Sequence, residues 1–366
     1  MRQVADILQF SKENKTVLQE YALRGYIPAN YLQKCPKHKL NALVLLSLEN
    51  PIELCRFLQT SILQLEEIIN TPIYKHYVIK KKRGGDRHIF APEKQLKRIQ
   101  KRLNYFLQAY YLWIKPSEVH GFVINLHYLE NPCNIVANAN VHTGKKHVLN
   151  IDLKDFFPSI PAKRIKDLFL SPRFNYNEQT AIALTLLTTY EGKLPAGAPT
   201  SPVLSNFVCL ELDARLRIFC QENGLRFTRY ADDLTFSSDN IISNDNILDI
   251  ILLIKKSGFS INEKKLRVQS SNRKQTVTGL IVNEKVNVDR KLLKKIRAML
   301  HDMTANGIDA AAQRHFNSKT AVDSEPGRRF IYRLEGYINF VGQVRGKNDS
   351  VYQKLKQSFD TFFEVK

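Results

Sequence analysis

The first 70 positions run in helical rhythm. Apolar residues recur at three- and four-residue intervals through QVADILQFSKENKTVLQEYAL, NALVLLSLENPIELCRFLQT and SILQLEEIINT, with Pro28, Pro36 and Pro51 as breaks. The period then shortens. YKHYVIKKKRGGDRHIFAP alternates about Gly84-Gly85 and predicts a hairpin, and EKQLKRIQKRLNYFLQAYYLWI, after Pro92, predicts a basic amphipathic helix. VLNIDLKDFFPSI predicts a strand ending in acids and aromatics, followed by helices over PAKRIKDLFL and NEQTAIALTLLTTY. LPAGAPTSPVLSNFVCLELDARLRIFCQENG reads as a Gly/Pro loop leading into a helix, and RFTRYADDLTFSS as a hairpin with Asp232 and Asp233 at its tip. A helix (NDNILDIILLIKKSG), a strand (FSINEKKLRV), a short hairpin (KQTVTGLIVNEKVNV) and about three helices complete the order. Strands and helices alternate in the centre without the glycine fingerprint of a dinucleotide fold. The expectation is an α+β fold, a mixed sheet with helices on one face.

Within this pattern the neighbours Asp232 and Asp233 are out of place. Asp is disfavoured inside strands and adjacent carboxylates repel, so the pair costs stability unless something binds beside it. Asp152, at the end of the strand VLNID, is a third carboxylate that adjoins them if the two strands are neighbours. Hard divalent cations such as Mg²⁺ take oxygen ligands and share their shell with phosphates, so the three acids point to a two-metal phosphoryl-transfer centre. For the Asp-Asp pair alone, turn chemistry or helix capping is the commoner explanation.

Charge supplies a partner. The 366 residues carry 55 Lys and Arg against 35 Asp and Glu, a formal net charge of +20. Between Ile73 and Lys115 twelve cations face two acids, and from Lys285 onward sixteen face nine. Basic stretches on both sides of an acidic centre suit a polyanion such as nucleic acid. With 43% hydrophobic residues the chain can bury a large core divided into two or three substructures. Five cysteines, without a CxxC, suggest neither a disulfide framework nor a zinc cluster and fit a reducing cytoplasm. The charges near the start do not fit a signal peptide, and no apolar run approaches the roughly 18 residues that span a bilayer, so a soluble protein without membrane association is expected.

The order IDLKDFF, LPAGAPTSPVLSN, YADD and NEKK resembles the polymerase motifs of reverse transcriptases. Asn138-Ala139-Asn140-Val141-His142 resembles the NAxxH string, and Val277-Thr278-Gly279 the VTG string, of bacterial retron reverse transcriptases. The resemblance, over about residues 73–345, implies a right-hand polymerase: a helical lead-in over 1–72, fingers over 73–147, a palm with an interleaved fingers segment over 148–284, and an RNA-binding thumb over 285–366. It implies that Asp152, Asp232, Asp233 and the Leu153 carbonyl hold two Mg²⁺ ions, with Lys265 protonating pyrophosphate. Arg87 and one of Lys80 to Lys82, with Lys82 favoured, would grip the dNTP triphosphate, and Phe157 would exclude a ribose 2′-OH. Ala196 and Gly197 would face the nucleotide, although Ala196 stands where the family has a Gln. Tyr230 would pack near the primer end. RNA would be held by Asn138, His142, Val277, Thr278, Gly279, Lys291, Lys295, Arg328, Arg329 and Arg333, aided by Lys294, Arg297 and Tyr332. The resemblance further implies a self-encoded structured non-coding RNA, copied from a 2′-OH into branched msDNA, and an effector protein in antiphage defence. The alternatives are an RNA- or msDNA-binding scaffold with weakened polymerase activity, and a group II intron-like or other defence reverse transcriptase.

Overall fold

The structure is a computed structural model and describes residues 35–81, 84–126, 132–316 and 326–364. The first expected helix and Lys82 lie outside these residues. Helices α1 (Lys37–Leu46), α2 (Pro51–Leu58) and α3 (Ile62–Asn70) come first. Their starts follow local chemistry: Asn50 accepts the Ile52 and Glu53 amides with Pro51 at the first helical position, and Ser61 and Gln64 form a reciprocal capping box. The expected hairpin is β1 (Tyr74–Lys80) paired antiparallel with β2 (Asp86–Pro92). Helix α4 (Lys94–Ile114) buries Leu96, Ile99, Leu103, Phe106 and Leu107 and leaves Lys94, Lys97, Arg98 and Lys101 exposed, as its apolar spacing requires.

The centre is a four-stranded antiparallel sheet in the order β4-β5-β3-β6, built from β3 (His147–Asp152), β4 (Arg226–Tyr230), β5 (Asp233–Ser238) and β6 (Arg267–Ser270). Side chains alternate across it. Leu149, Ile151, Phe227, Leu234 and Phe236 belong to a large core shared with α6 (Ala162–Leu170), α7 (Glu178–Thr188), α8 (Ser201–Val208), α9 (Leu210–Glu222) and α10 (Asn244–Lys256). The opposite face carries Asn150, Asp152, Thr228, Asp233, Thr235 and Ser237. Part of that polar face is covered by α5 (Ile135–Asn140) and the hairpin of β7 (Thr276–Val277) with β8 (Leu280–Ile281). Val148 of β3, Ala139 of α5, and Val277 and Leu280 of the hairpin join a second core. That core continues through α11 (Arg290–Asn306), α12 (Ile308–Phe316), α13 (Pro326–Arg345) and α14 (Ser350–Glu364).

Three details differ from the expectation. The helix after the Gly/Pro loop is two helices, α8 and α9, meeting at Cys209. FSINEKKLRV is a strand only from Arg267, because the Asn262 N–H donates to the Asp152 carbonyl and the chain turns through a short 3₁₀ segment, Glu263–Lys265. Four helices, not about three, follow residue 285 among the described residues. No described helix is long and apolar enough to cross a membrane.

Candidate active site

The central strand β3 ends in an acid because its last position lies beyond the packed core, where a polar side chain meets solvent. Register then decides which acids meet: Asp152 stands directly opposite Asp233, and Asp232 lies in the two-residue turn between β4 and β5. Ala231, the first turn residue, has φ +60°, and Asp232 is not in the left-handed region, the pattern of a II′ hairpin whose first position usually demands Gly. The turn is therefore strained and has to be held from outside. The Leu153 N–H donates to the Asp232 carbonyl at 2.9 Å, tying the turn to the residue after Asp152.

Electrostatically the cluster lacks positive charge. Burial first, then the charges of Asp232 and Asp152, push the Asp233 carboxyl up to about 6, although its outer surface stays open to solvent. Asp232 is raised too, by burial and then by Asp152. Lys265 provides the nearest compensation, its Nζ lying 2.7 Å from Asp152 Oδ1. As they stand, no three His, Cys, Asp or Glu side chains among the described residues form a ready metal cage. The donor chemistry nevertheless fits hard cations: crowded carboxylate oxygens with raised proton affinity are what a divalent ion relieves.

A cavity of about 660 Å³ opens in front of the acids. It gathers Asp152, Leu153, Asp232 and Lys265 with Lys81, Arg87, Phe157, Ala196 and Gly197, so most of the residues picked for catalysis and nucleotide binding share one space. Asp233 borders the group through its pairing with Asp152. Lys81, just after β1, and Arg87, on β2, line the same cavity as the carboxylates. The Ala196–Gly197 segment is docked on β2: the Phe90 N–H donates to the Ala196 carbonyl at 2.7 Å. A Cβ on Gly197 would lie 2.7 Å from Ile89 Cγ2 and 2.9 Å from the Phe90 carbonyl oxygen, so only Gly permits this approach. Ala196 uses its backbone here, and the wall keeps its shape without a longer side chain. Phe157 is half-buried, with its ring stacked on Phe122 at 5.7 Å. Tyr230, paired with Asp233, ends β4 beside the turn.

The model of the reverse transcriptase (RNA-dependent DNA polymerase) family matches residues 79–282, from the end of β1 through β2 and the whole carboxylate sheet to β7–β8. The chain belongs to the reverse transcriptase family. The retron Ec86 reverse transcriptase of Escherichia coli is 33% identical over 282 residues, covering 75% of this chain and 83% of that protein. The retron Mx65 reverse transcriptase of Myxococcus xanthus is 35% identical over 262 residues, covering 66% of this chain and 58% of that protein, so the chain spans little more than half of that relative's length. These matches put it on the bacterial retron branch, and its α+β architecture is that of a right-hand polymerase. Among solved structures, a Candida albicans telomerase in complex with a TWJ fragment of telomeric RNA is similar at a TM-score of 0.44 and 10% identity, covering 81% of this chain and 64% of that one.

The residues of this reverse transcriptase picked for RNA contact are placed less uniformly. Asn138 and His142 are almost completely buried, so the expected direct RNA contact is not open to them. His142 bridges Thr228 Oγ1 on β4 and Ser237 Oγ on β5, each at 2.7 Å, and burial keeps its imidazole neutral, with the pKa lowered to about 3. Val277 is likewise a core residue, since its strand position points inward. Thr278 and Gly279 form the β7–β8 turn, both with positive φ, and Gly279 is exposed. Lys291, Lys294, Lys295 and Arg297 lie on the outer face of α11, and Arg328, Arg329, Tyr332 and Arg333 on that of α13. Lys295 of α11 lies over Tyr337 of α13 at 4.9 Å, and Arg333 of α13 over Phe316 of α12 at 4.4 Å.

Sequence reasoning passed over the residues beneath the turn. Arg229, fully buried, donates from Nε and Nη2 to the two carboxylate oxygens of Asp213, each at 2.7 Å. Burial opposes its charge, but Asp213 outweighs that penalty and keeps the guanidinium ionised. Arg229 occupies the apolar face of a strand, opposite Leu234, and that position was the available signal: a cation there requires a buried acid.

Proposed function

We propose that this chain is an RNA-directed DNA polymerase of the retron kind. The observation that carries the reading is the in-register pairing of Asp152 with Asp233, Asp232 beside them, at the floor of a cavity walled by cations and Phe157. Asp152, Asp232, Asp233 and the Leu153 carbonyl would hold two Mg²⁺ ions. When bound, the ions supply activation of the primer hydroxyl and charge neutralisation at the phosphates. The remaining tasks fall to this chain. Arg87 and Lys81 or Lys82 bind triphosphate oxygens, where a guanidinium fork suits phosphate. Phe157, backed by Phe122, fills the space a ribose 2′-OH would need. Lys265, on a turn stapled to the Asp152 carbonyl, is poised to give a proton to the departing pyrophosphate once phosphates compete for Asp152.

The exposed cations and rings of α11 and α13, with the Thr278–Gly279 turn, suit the backbone and shape of an RNA stem. The substrate we infer is a structured non-coding RNA bound by the protein, copied with dNTPs from a 2′-OH to give branched msDNA, in a system that includes an effector protein and serves antiphage defence. The five cysteines are all free, which supports a reducing cytoplasm as the setting.

The test is primer extension by the purified protein on its co-purified RNA with Mg²⁺ and dNTPs, with sequencing of the product. Incorporation by wild type, its loss in Asp232→Asn and a branched RNA–DNA species are expected. Linear cDNA alone would remove the retron-type priming. No incorporation by folded, RNA-bound wild type would remove the polymerase reading and leave an RNA-binding scaffold.

A further inference from the structure

The carboxylate turn and the wall behind Phe157 belong to different parts of the chain, yet one side chain is linked to both, to the wall directly and to the turn through Arg229. Asn206, on α8, is fully buried. Its Oδ1 accepts from Arg229 Nη1 at 2.9 Å, and the same Nη1 reaches the Ala231 carbonyl at 3.3 Å, inside the strained turn that presents Asp232. Its Nδ2 donates to the Gly121 carbonyl at 3.0 Å and to the Phe122 carbonyl at 3.4 Å. Phe122 has φ +59°, a left-handed conformation that a bulky aromatic rarely adopts, and its ring stacks on Phe157. One strained residue, Phe122, is thus bonded to this amide directly, and the other, Ala231, is joined to it by the Arg229 guanidinium.

The neighbours leave this amide little freedom. Asp213 saturates the other edge of the Arg229 guanidinium, so Arg229 cannot rotate to find a new acceptor without stranding a buried charge. Gly121 lies so close under the turn that a Cβ would be 2.3 Å from the Ala231 nitrogen, so a shift of the Gly121–Phe122 backbone is transmitted to the turn by contact. Asn206 also belongs to the helix that follows the Pro195–Gly197 wall of the cavity, and the Ser201 hydroxyl ties that helix start to the Pro195 carbonyl at 2.7 Å.

We infer that Asn206 is a positioning residue that sets two properties of the proposed polymerase together: the placement of the Asp232 turn through Arg229, and the rigidity of the Phe157 gate through the Phe122 backbone. The inference rests on the polymerase reading and deepens it, because it assigns control of rate and of sugar selectivity to one buried amide that touches neither metal nor nucleotide. Arg229 belongs to the first branch alone.

The experiment compares wild type, Asn206→Ala and Arg229→Lys in single-nucleotide extension with dNTP and with rNTP, reading kcat, KM and the selectivity ratio, with thermal melting and RNA binding as checks on folding. For Asn206→Ala, kcat should fall by up to the roughly 10²-fold associated with misplacing a catalytic group by about 1 Å. Its KM for dNTP should change little and its preference for dNTP over rNTP should drop. Arg229→Lys keeps a charge for Asp213 but loses the fork, so its kcat should fall while selectivity is retained. A folded Asn206→Ala with wild-type selectivity overturns the inference, as does equal loss of selectivity in both variants. Should Asn206→Ala fail to fold, the isosteric Asn206→Asp retains an acceptor for Arg229 and loses the donor to the two carbonyls. Loss of selectivity in that variant is the expected result and its retention the refuting one. Inactive wild type defeats the polymerase reading, whereas active wild type with unaltered variants defeats only this assignment.

Discussion

Replacing Gly121 with Ala tests how tightly the turn that presents Asp232 is held. The new Cβ would meet three backbone atoms: Ala231 N at 2.3 Å, Tyr230 C at 2.8 Å and Tyr230 Cα at 3.0 Å. Ordinary contact begins near 3.4 Å, so something has to retreat by about 1.1 Å. Retreat on the Gly121 side is blocked. Residues 118–120 are bridged in parallel to β4 at Val119, with the Arg229 N–H donating to the Glu118 carbonyl at 2.9 Å and the His120 N–H to the Arg229 carbonyl at 3.0 Å. Asn206 holds the Gly121 carbonyl from below. The displacement therefore falls on Ala231 and Asp232. Overpacking of this kind costs about 1–3 kcal/mol of stability, and a shift of about 1 Å at a catalytic group costs on the order of 10² in rate. The assay is single-nucleotide extension at saturating dNTP, with thermal unfolding alongside. A much lower kcat, a modest drop in Tm and a nearly unchanged KM for dNTP are expected. A folded variant with wild-type kcat would refute the reasoning, because it would mean that the turn tolerates displacement.

Three further outcomes follow from the same geometry. Asp213→Ala leaves Arg229 charged and buried without its partner, and a loss of about 3–5 kcal/mol is expected in denaturant unfolding, measured against wild type; a loss typical of a surface site would show that water reaches the guanidinium. His142 is neutral when folded, with a pKa near 3 against 6.5 for the free side chain, so the unfolded chain binds the extra proton between those values and stability declines as pH falls through that window. His142→Gln should flatten this limb of the stability–pH curve, and parallel curves for the two proteins would contradict it. Phe157→Ala removes the ring backed by Phe122 and should raise rNTP incorporation relative to dNTP in competition assays; unchanged discrimination would place the gate elsewhere.

The local pattern carried a large part of this architecture. The switch from helical to alternating rhythm located β1–β2, and the apolar run ending in Asp152 located β3. The strings IDLKDFF, YADD and LPAGAPTSP contained the residues that now line one cavity. These features are written locally, since strand alternation, turn residues and the cost of adjacent carboxylates depend on a few neighbours in sequence. Burial and partnership were not legible in the same way. The family resemblance implies RNA contact for His142, although a single polar residue of this kind is more often structural, and it is sealed between two hydroxyls contributed by residues 86 and 95 positions away. The pattern FSINEKKLRV predicts Lys265 on a strand, but it lies on a turn, because Asn262 is bonded to the end of a strand far earlier in the chain.

By itself the sequence determined most of the element types, the chemistry available at each strand end and the chain's own excess of positive charge, because these follow from short-range periodicity and composition. Only the tertiary structure decided that Asp152 faces Asp233 in register and that the Ala231 turn rests on Gly121. It alone decided that a buried chain from Asp213 through Arg229 to Asn206 reaches both the turn and the Phe157 wall. The physical reason is distance along the chain: a cross-strand register or a buried ion pair is fixed by segments many residues apart, and no local preference specifies which of them will meet.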